Sequence, residues 1–541
     1  MKNRRLTVAD FFCGAGGFSE GFRQNDFDLV FALDNWQPAI NTHHLNHPNC
    51  NAIKMNILEL DTPEKIDEII PDVDVIIGSP PCVSFSDSNK AGKADKSLGI
   101  KLIKAYLRII AWKKSKGSLK YWLLENVPNT KNYVKDIYTW KELGLPGKGP
   151  DLLVEKKDVL NAANYSAPQK RKRFFCGNYP LPTPTCENEL EWTTTRQVLE
   201  ALGNPFQNEH NGTITDPNYG LSIPANLLTD HFYDTRIADF EWENAKRLKE
   251  DHGFMGRMSF PENIDCPSRT VVATRSASTR EAMILYAVNE KGKHIGYRLP
   301  TIREIATFMS FPITYQFEAG NESSKYRLVG NAVCPKLSSA FAKAILINEG
   351  IKPSKEFIPL PDTKPSVDLR GTKRKTKELC KRRYNAKFAR HIPYMKIKGF
   401  RVELSNKDSN FEKEDIKWSC ILHQGSGKGA LMCRPDDCNL GNIIQEIRDF
   451  RDFKDEVHDN FEEFDMDHTH LQEAYVARCE SEYITPERVL EKIRELVDRH
   501  FPDDDVFFDN SGRMIAIDRN KVPIRVIAGM YACQYFIECL E

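Results

Sequence analysis

The chain has 541 residues, carries 76 acidic and 76 basic side chains, and is 40% hydrophobic. This length exceeds one ordinary hydrophobic core, so we expect roughly two to four domains. No apolar run approaches the ~18 residues of a membrane span, and the first residues lack a signal-peptide pattern, so we expect a cytoplasmic protein without a membrane segment. The 14 cysteines form no CxxC pair, which favours a reducing compartment. Because the net charge is zero, any nucleic-acid binding must come from local patches.

Strands and helices alternate over the first part of the chain. Residues 6–13 are typical of a strand and lead into the glycine-rich turn GAGGFSEGF and a helix, and a second strand, LVFALDNW, contains an acid near its end. A third strand, VDVIIG, precedes GSPPCVSFS, then residues 98–114 show helical spacing, and YWLLENV is the next strand. This alternation predicts an α/β fold with a parallel, doubly wound, Rossmann-like sheet, in which ligands bind at the carboxyl ends of the strands.

The pattern changes after residue 178. Residues 179–298 are rich in Pro, Asn and Thr with short strand-like pieces, and helices return at TIREIATFM and KLSSAFAKAILINEG. Several prolines in residues 351–372 indicate a linker, and residues 373–390 hold nine Lys or Arg against one Glu. The remainder reads as a mixed α+β segment.

The turn after the first strand has the composition of a nucleotide-binding loop. Glycines let a backbone approach a ligand closely, and the N-terminus of the following helix offers free N–H donors. Asp34, one βα unit later, is placed to accept hydrogen bonds from ribose hydroxyls. A nucleoside-containing cofactor is therefore expected, although many strand-to-helix turns need glycine for geometry alone.

Cys82 lies in a proline-stiffened loop directly after a buried strand. A buried structural thiol is one interpretation of this cysteine, and a nucleophile is the other. A thiolate nucleophile needs a partner acid or base and a substrate held against it. Glu125 in LLENVPN could be the acid, and Arg171 and Arg173 in PQKRKRFF could hold the substrate as planar donors.

Taken together and in this order, these motifs resemble those of the DNA (cytosine-5) methyltransferases. FCGAGGFSEGF resembles the S-adenosylmethionine loop, PPCVSFS the nucleophile loop, ENV the glutamate motif and QKRKR the Gln-x-Arg-x-Arg motif. RLPTIREIATFMSFP and GNAVCP resemble the closing motifs, and RTVVAT resembles an element of the target-recognition domain. The resemblance covers roughly residues 6–350.

The resemblance implies a mechanism. Cys82 would add to C6 of cytosine, Glu125 would protonate or hydrogen-bond N3, and Arg173 would donate to O2, while Arg171 supports the loop. The target base must be flipped out of the duplex to reach the pocket.

The resemblance also implies the ligands and the residues that bind them. The cofactor is S-adenosyl-L-methionine, contacted by Phe12, Gly14, Gly16, Gly17, Phe18, Asp34, Asn35, Trp36, Asn56, Ile57, Pro80, Asn331 and Ala332. Asn56 departs from the family pattern, which usually has Asp there, so its amide oxygen would accept from the adenine amino group without charge. The substrate is double-stranded DNA, contacted by Ser86, Gln169, Arg269, Thr270, Arg275 and Arg280. Arginine reads guanine bidentately in the major groove, whereas the alternative for this stretch is a hairpin with a solvated basic face. No metal is expected.

The resemblance up to residue 350 and the composition beyond it predict a division of the chain. We expect residues 1–178 and 299–350 to form the catalytic domain, 179–298 the target-recognition domain, 351–372 a linker and 373–541 an accessory domain for DNA binding or protein contacts. In the last of these, Cys420-x2-His423 and Cys433-x4-Cys438 loosely resemble zinc-ligand spacing, but buried thiols are the preferred interpretation. Asp503 to Asp505 with Asp518 and Lys521 resemble a nuclease pattern, with the wrong spacing for its last pair.

We therefore expect a monomeric cytosine-5 DNA methyltransferase of a prokaryotic restriction-modification or defence system. A cognate restriction endonuclease or defence-system protein would be its partner, and the nucleoid its location. The alternatives are a tRNA cytosine-5 methyltransferase, a catalytically silent DNA-binding protein, and a methyltransferase fused to a nuclease or a DNA-binding domain. The length of the recognition region favours duplex DNA over tRNA.

Overall fold

The computed structural model describes residues 4–81, 96–186, 188–206, 212–251, 256–353, 358–373, 381–425, 430–462, 465–478, 481–512, 515 and 520–540. The chain forms two compact units. The first comprises Met1–Trp242 and Phe260–Arg374, and the second comprises Glu243–Ser259 and Lys375–Glu541. In the described ranges, none of the helices is both long and apolar enough to cross a membrane.

The first half of the first unit alternates strands with helices as expected. In chain order its elements are β1 (Thr7–Phe11), α1 (Gly17–Arg23), β2 (Asp28–Asp34), α2 (Gln37–Asn46), β3 (Asn51–Lys54), α3 (Pro63–Ile69), β4 (Val75–Gly78), α4 (Ser97–Ser115), β5 (Tyr121–Asn126), β6 (Ile137–Tyr138), β7 (Leu152–Leu153), β8 (Lys156–Asn161) and β9 (Lys172–Asn178).

Seven of these strands form one sheet in the order β3-β2-β1-β4-β5-β9-β8. The strands from β3 to β5 are parallel, which confirms the predicted Rossmann-like α/β fold. β4 and β5 are buried along their whole length, as central parallel strands covered on both faces should be. β9 pairs antiparallel with β5 and with β8, so the last two strands close the sheet as a hairpin.

Shorter elements follow β9. They are α5 (Thr195–Leu202), β10 (Thr213–Thr215), β11 (Ser222–Pro224), α6 (Asp239–Glu250), β12 (Leu285–Val288), β13 (His294–Arg298), α7 (Ile302–Phe308), α8 (Glu322–Asn331) and α9 (Pro335–Asn348). Of the three final helices, α7 packs on α8, α8 packs on α2, and α9 packs on α1. This packing is close because α1 has glycines at the interface. A Cβ at Gly17 would lie 2.2 Å from the carbonyl oxygen of Val333, and one at Gly21 would lie 2.4 Å from Ser338 Cβ.

The segment predicted as a linker is packed on the first unit over residues 358–373. Lys325 Nζ donates to both carboxylate oxygens of Asp230, at 2.8 and 2.7 Å, and both side chains are fully buried. The backbone N–H of Leu369 donates to the same carboxylate at 3.1 Å, and Lys325 also donates to the carbonyl of Val367. A buried ion pair keeps both of its partners in place, because losing one of them is costly. Since Asp230 and Lys325 also bond to the backbone of Leu369 and Val367, they fix this segment on the first unit.

The second unit is an α+β fold, as expected for the C-terminal region. Its elements are β14 (Ala389–His391), β15 (Phe400–Ser405), β16 (Ser419–Gln424), β17 (Leu431–Cys433), α10 (Leu440–Glu446), α11 (Phe450–Phe461), α12 (His468–Ala477), α13 (Pro486–His500), β18 (Phe507–Asp509), β19 (Lys521–Pro523) and α14 (Ile524–Glu538). β14 to β17 form an antiparallel sheet in sequence order, and α14 packs on its central strands.

Cys420 and His423 do not face one common zinc site. Cys420 and His423 are three residues apart on β16 and so point to opposite faces of the sheet. The Cys420 thiol lies 3.8 Å from the carbonyl of Met530 in α14, whereas His423 faces Glu403 at 3.6 Å. Over the part of the chain that the structure describes, no group of three His, Cys, Asp or Glu side chains could hold a metal ion.

The acids that resemble a nuclease pattern have other partners. Asp504 pairs with Arg525 at 3.1 Å and Asp505 pairs with Lys398 at 3.1 Å. Asp518 lies outside the described residues. The structure therefore provides no cluster that supports the nuclease alternative among the residues it describes.

Candidate functional site

A cavity of about 700 Å³ opens at the carboxyl ends of β1, β2, β4 and β5, where an open parallel sheet binds its ligands. Most of the residues singled out from the sequence line it. These are Phe12, Gly14, Phe18, Asp34, Asn35, Trp36, Asn56, Ile57, Pro80, Glu125, Arg171, Arg173, Thr270, Asn331 and Ala332. One edge of the sheet thus brings together motifs that lie as far apart in sequence as Phe12 and Ala332.

Asp34 closes the glycine turn from the end of β2. Its Oδ2 accepts the backbone N–H of Gly14 at 3.0 Å, and its Oδ1 accepts the N–H of Trp36 at 2.9 Å. Burial raises the pKa of this carboxyl, and the backbone donors oppose that rise. Each carboxylate oxygen has a second lone pair. The side chain can therefore hold the turn and still accept hydrogen bonds from a ligand in the cavity.

Two glycines of the turn serve packing. Gly16 has φ 81°, and a Cβ there would lie 2.7 Å from the hydroxyl of Tyr315. Gly17 meets the carbonyl of Val333, as described above, and neither glycine is among the residues that line the cavity. The part of the turn that faces the cavity is Phe12, which has φ 56°, together with Gly14 and Phe18.

Asn56 is tied into the backbone beside the cavity. Its Oδ1 accepts the N–H of Leu58 at 3.1 Å, and its own N–H donates to Glu59 Oε1 at 3.3 Å. This arrangement caps the short 3-10 turn Ile57–Glu59. The cap fixes the orientation of the amide at the cavity wall, and the oxygen has one further lone pair for a ligand.

Glu125 lies at the end of β5 and is only 6% exposed. Its Oε2 accepts the hydroxyl of Ser79 at 2.7 Å, and its Oε1 lies 3.1 Å from Arg173 Nε. Arg173 also donates to the carbonyl of Lys172 at 2.8 Å, which fixes its guanidinium. A carboxyl held by two donors in a desolvated wall has a fixed direction, which acid–base chemistry requires.

The residue after Glu125 positions the loop that follows β4. Asn126 donates from Nδ2 to the carbonyl of Pro80 at 2.8 Å, and its Oδ1 accepts from Thr130 Oγ1 at 2.8 Å. Ser79 is held from the other side, since its N–H donates to the carbonyl of Phe11 at 3.0 Å. These bonds fix the chain up to Pro80. Cys82 and Ser86 lie outside the described residues.

Comparisons with known proteins bear on this arrangement. The profile of the family described as "C-5 cytosine-specific DNA methylase" matches residues 6–346. The chain belongs to this family. It is a DNA (cytosine-5) methyltransferase that uses S-adenosyl-L-methionine, and it methylates cytosine at C5 as the enzymes of type II restriction-modification systems do.

Individual relatives match 63–64% of the methyltransferase chain. The chain is 26% identical over 386 residues to the type II methyltransferase M.DdeI of Desulfomicrobium norvegicum, covering 63% of this chain and 88% of that one. It is 29% identical over 363 residues to M.MthTI of Methanothermobacter thermautotrophicus, covering 63% and 97%. The crystal structure of S. pombe Dnmt2 methyltransferase superposes with a TM-score of 0.41 at 17% identity, covering 64% of this chain and all of that one.

Arg171 of the methyltransferase is a clamp between three segments. Its guanidinium donates to the carbonyls of Val271 and Gly330 at 2.9 Å and of Ala332 at 3.0 Å, and the residue is 3% exposed. The start of β9, the 270–272 segment and the end of α8 therefore meet at one side chain. These contacts suit the supporting role that the sequence analysis gives to Arg171.

The predicted DNA-contacting residues divide into two groups. Gln169 and Thr270 lie where residues 168–171 run alongside residues 268–271, and Thr270 Oγ1 donates to the carbonyl of Lys170 at 2.8 Å. Gln169 is fully buried, and its amide finds no hydrogen-bond partner among the described residues.

The arginines beyond this contact have partners within the chain. Arg269 pairs with Glu262 at 2.7 Å and Arg275 pairs with Glu322 at 2.8 Å, while Arg280 is half-buried in a turn ahead of β12. Base contact by Arg269 or Arg275 would require an exchange of these ion-pair partners.

Ser79, Asn126 and Arg327 belong to the site but are not among the predicted site residues. Ser79 and Asn126 lie directly beside predicted residues, and their strand-end positions were the available signal. Arg327 lines the cavity from α8, and its guanidinium carbon lies 4.7 Å from the centre of the Trp36 ring. It lies four residues before the predicted Asn331, one helical turn away.

Proposed function

We propose that Cys82, Glu125 and Arg173 form the catalytic centre for a cytosine flipped out of a specific double-stranded DNA sequence. One observation carries this proposal. Glu125 is held by Ser79 and Arg173 in the wall of the cavity, beside the Pro80–Pro81 segment that leads into Cys82. The carboxyl of Glu125, the guanidinium of Arg173 and the chain segment that leads into Cys82 therefore lie at the same edge of the sheet.

The cavity fits the cofactor of the family. Its volume of about 700 Å³ is within the range of small-molecule sites. Asp34 keeps acceptor capacity for ribose hydroxyls, Asn56 and Ile57 would face the adenine, and Asn331 and Ala332 close the cavity from α8. Bound S-adenosyl-L-methionine supplies the methyl group that C5 receives.

The chain's own residues perform the remaining steps. The Cys82 thiolate forms a bond to C6, which turns C5 into an enamine-like carbon. Glu125 supplies a proton to N3 as electron density moves onto the ring, and Arg173 donates to O2 and balances the developing charge. After C5 is methylated, water takes the C5 proton, and the electron pair of the C5–H bond forms the C5=C6 double bond as Cys82 leaves C6 as a thiolate. N3 returns its proton to the Glu125 carboxylate.

Double-stranded DNA is the proposed substrate, with residues 179–298 as the target-recognition domain and residues 1–178 with 299–350 as the catalytic domain. The contact of residues 268–271 with residues 168–171 supports this division, because it would place the recognition segment beside Arg171 and Arg173. We further propose that the enzyme acts as a monomer and that its partner is a cognate restriction endonuclease or defence-system protein.

Methyl transfer to matched nucleic acids tests the proposal. The protein is incubated with labelled S-adenosyl-L-methionine and duplex DNA, single-stranded DNA or tRNA, and bisulfite sequencing then maps the product. We expect 5-methylcytosine at one recurring sequence in duplex DNA. Glu125→Gln should lose at least about a hundredfold in kcat because the acid is gone, whereas Glu155→Gln, a surface acid paired with Lys114, should not. Methylation confined to tRNA, or full activity of Glu125→Gln, would contradict the proposal.

A further inference from the structure

A second cavity, of about 420 Å³, lies in the first unit and shares no lining residue with the first cavity. One wall is a face of α9 that carries Lys336, Ser339 and Lys343. The turn that follows α1 contributes Asn25, and the chain around Ser166 and Thr185 forms the opposite wall. The motifs of the methyl-transfer reaction do not include this place.

Two lysines give the cavity a positively charged lining. Lys336 and Lys343 are seven residues apart on α9, so both point from the same helical face. The lining contains no carboxylate, and neither lysine forms an ion pair within the described part of the chain. Burial, and after it the charge of Lys343, lowers the pKa of Lys336, while the charge of Asp216 opposes this shift. The ammonium of Lys336 lies 4.4 Å from the centre of the Tyr219 ring, which forms a third wall.

The remaining lining is polar. Asn25 is 2% exposed, its Nδ2 donates to Ser339 Oγ at 2.8 Å, and its Oδ1 accepts no hydrogen bond from the described residues. The hydroxyls of Ser166 and Thr185 lie 2.7 Å apart. A buried polar atom without a partner is costly, as are two like charges facing one cavity. The charge cost falls when a ligand brings negative charge, and Asn25 Oδ1 can accept a hydrogen bond from a donor group on the same ligand.

We propose that this cavity binds a phosphate group. The two ammonium groups would hold the phosphate oxygens, and the hydroxyls would add neutral donors. The volume exceeds that of a phosphate ion, so the cavity also admits the group that carries the phosphate. A small phosphorylated metabolite and the phosphodiester backbone of DNA present the same chemistry, and the two sources are separated experimentally.

Calorimetric titration of the full-length protein with inorganic phosphate, and then with adenosine monophosphate, tests the site. We expect saturable binding that weakens at least tenfold in Lys336→Gln/Lys343→Gln. Lys343→Gln alone, a change at an exposed position, should weaken binding severalfold. This single variant tests the site if the double variant unfolds. Lys141→Gln is the matched control, because this exposed lysine lies outside both cavities. Absence of binding, or equal binding by all variants, would refute the site.

Competition identifies the source of the phosphate. If duplex DNA without a target sequence displaces adenosine monophosphate from the wild-type protein, the cavity takes the DNA backbone. If the two bind together, it takes a small phosphorylated ligand. Methyl transfer to saturating DNA should be unchanged in Lys343→Gln, which distinguishes failure of this site from failure of the proposed catalytic centre.

Discussion

Replacing Arg171 by Met should destabilise the methyltransferase more than it changes its chemistry. The guanidinium donates to three buried carbonyls at 2.9 to 3.0 Å. Methionine has an apolar side chain and donates nothing. Leaving a buried polar group unsatisfied costs about 1–3 kcal/mol, so three carbonyls, partly rehydrated, should cost about 4 kcal/mol of unfolding free energy. A loss of this size is a large fraction of a typical domain's stability.

Urea denaturation followed by tryptophan fluorescence measures this loss. Arg173→Met is the matched control, because Arg173 contacts Glu125 and one neighbouring carbonyl, and Glu125 keeps its bond from Ser79. We expect Arg171→Met to lower the unfolding midpoint strongly and Arg173→Met to lower kcat with little change in stability. If Arg171→Met were as stable as the wild type and inactive, Arg171 would act on the substrate, and the structural role assigned to it here would be wrong.

Three further predictions concern single side chains. Ser79→Ala should lower kcat about tenfold with KM unchanged, because it removes the donor that orients Glu125, and steady-state kinetics checks this. Arg327→Gln should raise KM for S-adenosyl-L-methionine roughly fivefold and leave KM for DNA unchanged, since the cation that covers Trp36 is lost; an unchanged cofactor KM would oppose this role. Burial raises the pKa of Asp10 from 3.8 to about 7 in the folded protein. The contribution of protonated Asp10 to the free energy of unfolding is therefore fully present below pH 4 and is lost, by up to ~4 kcal/mol, as the pH rises from about 4 through about 7. Denaturation midpoints of Asp10→Asn against pH should therefore be flatter than those of the wild type.

The catalytic half of the fold could be predicted because its signals are local. Apolar runs such as the one in β4 indicate buried parallel strands. Each motif lies at the end of such a strand. The carboxyl ends of parallel strands meet at one edge, so a linear order of motifs predicts a site. Glu125 and Asp34 were placed together on this basis, and both line the cavity.

What the sequence did not reveal depends on contacts between distant residues. Gly16 and Gly17 have the composition of a ligand loop, but their missing side chains admit Tyr315 and Val333, about three hundred residues away. The proline-containing segment 351–372 has the composition of a linker, yet the buried Lys325 and Asp230 hold part of it. The composition of a segment does not predict which distant residues of the same chain will pack against it.

The second unit has an extensive core of its own and no recognised motif. Its sheet and helices were expected only as an α+β class, because short strands and helices there alternate without a repeat. The interpretation as an accessory domain for DNA binding or protein contacts stays a prediction.

The central claim is that methyl transfer to cytosine in duplex DNA requires a covalent bond between Cys82 and C6 of the base. Mass spectrometry of nucleosides from duplex DNA, after incubation with the cofactor and either wild-type protein or Cys82→Ser, tests it most directly. The account predicts 5-methylcytosine with the wild type and none with Cys82→Ser, although the variant still binds the duplex. Undiminished 5-methylcytosine with Cys82→Ser would contradict the account.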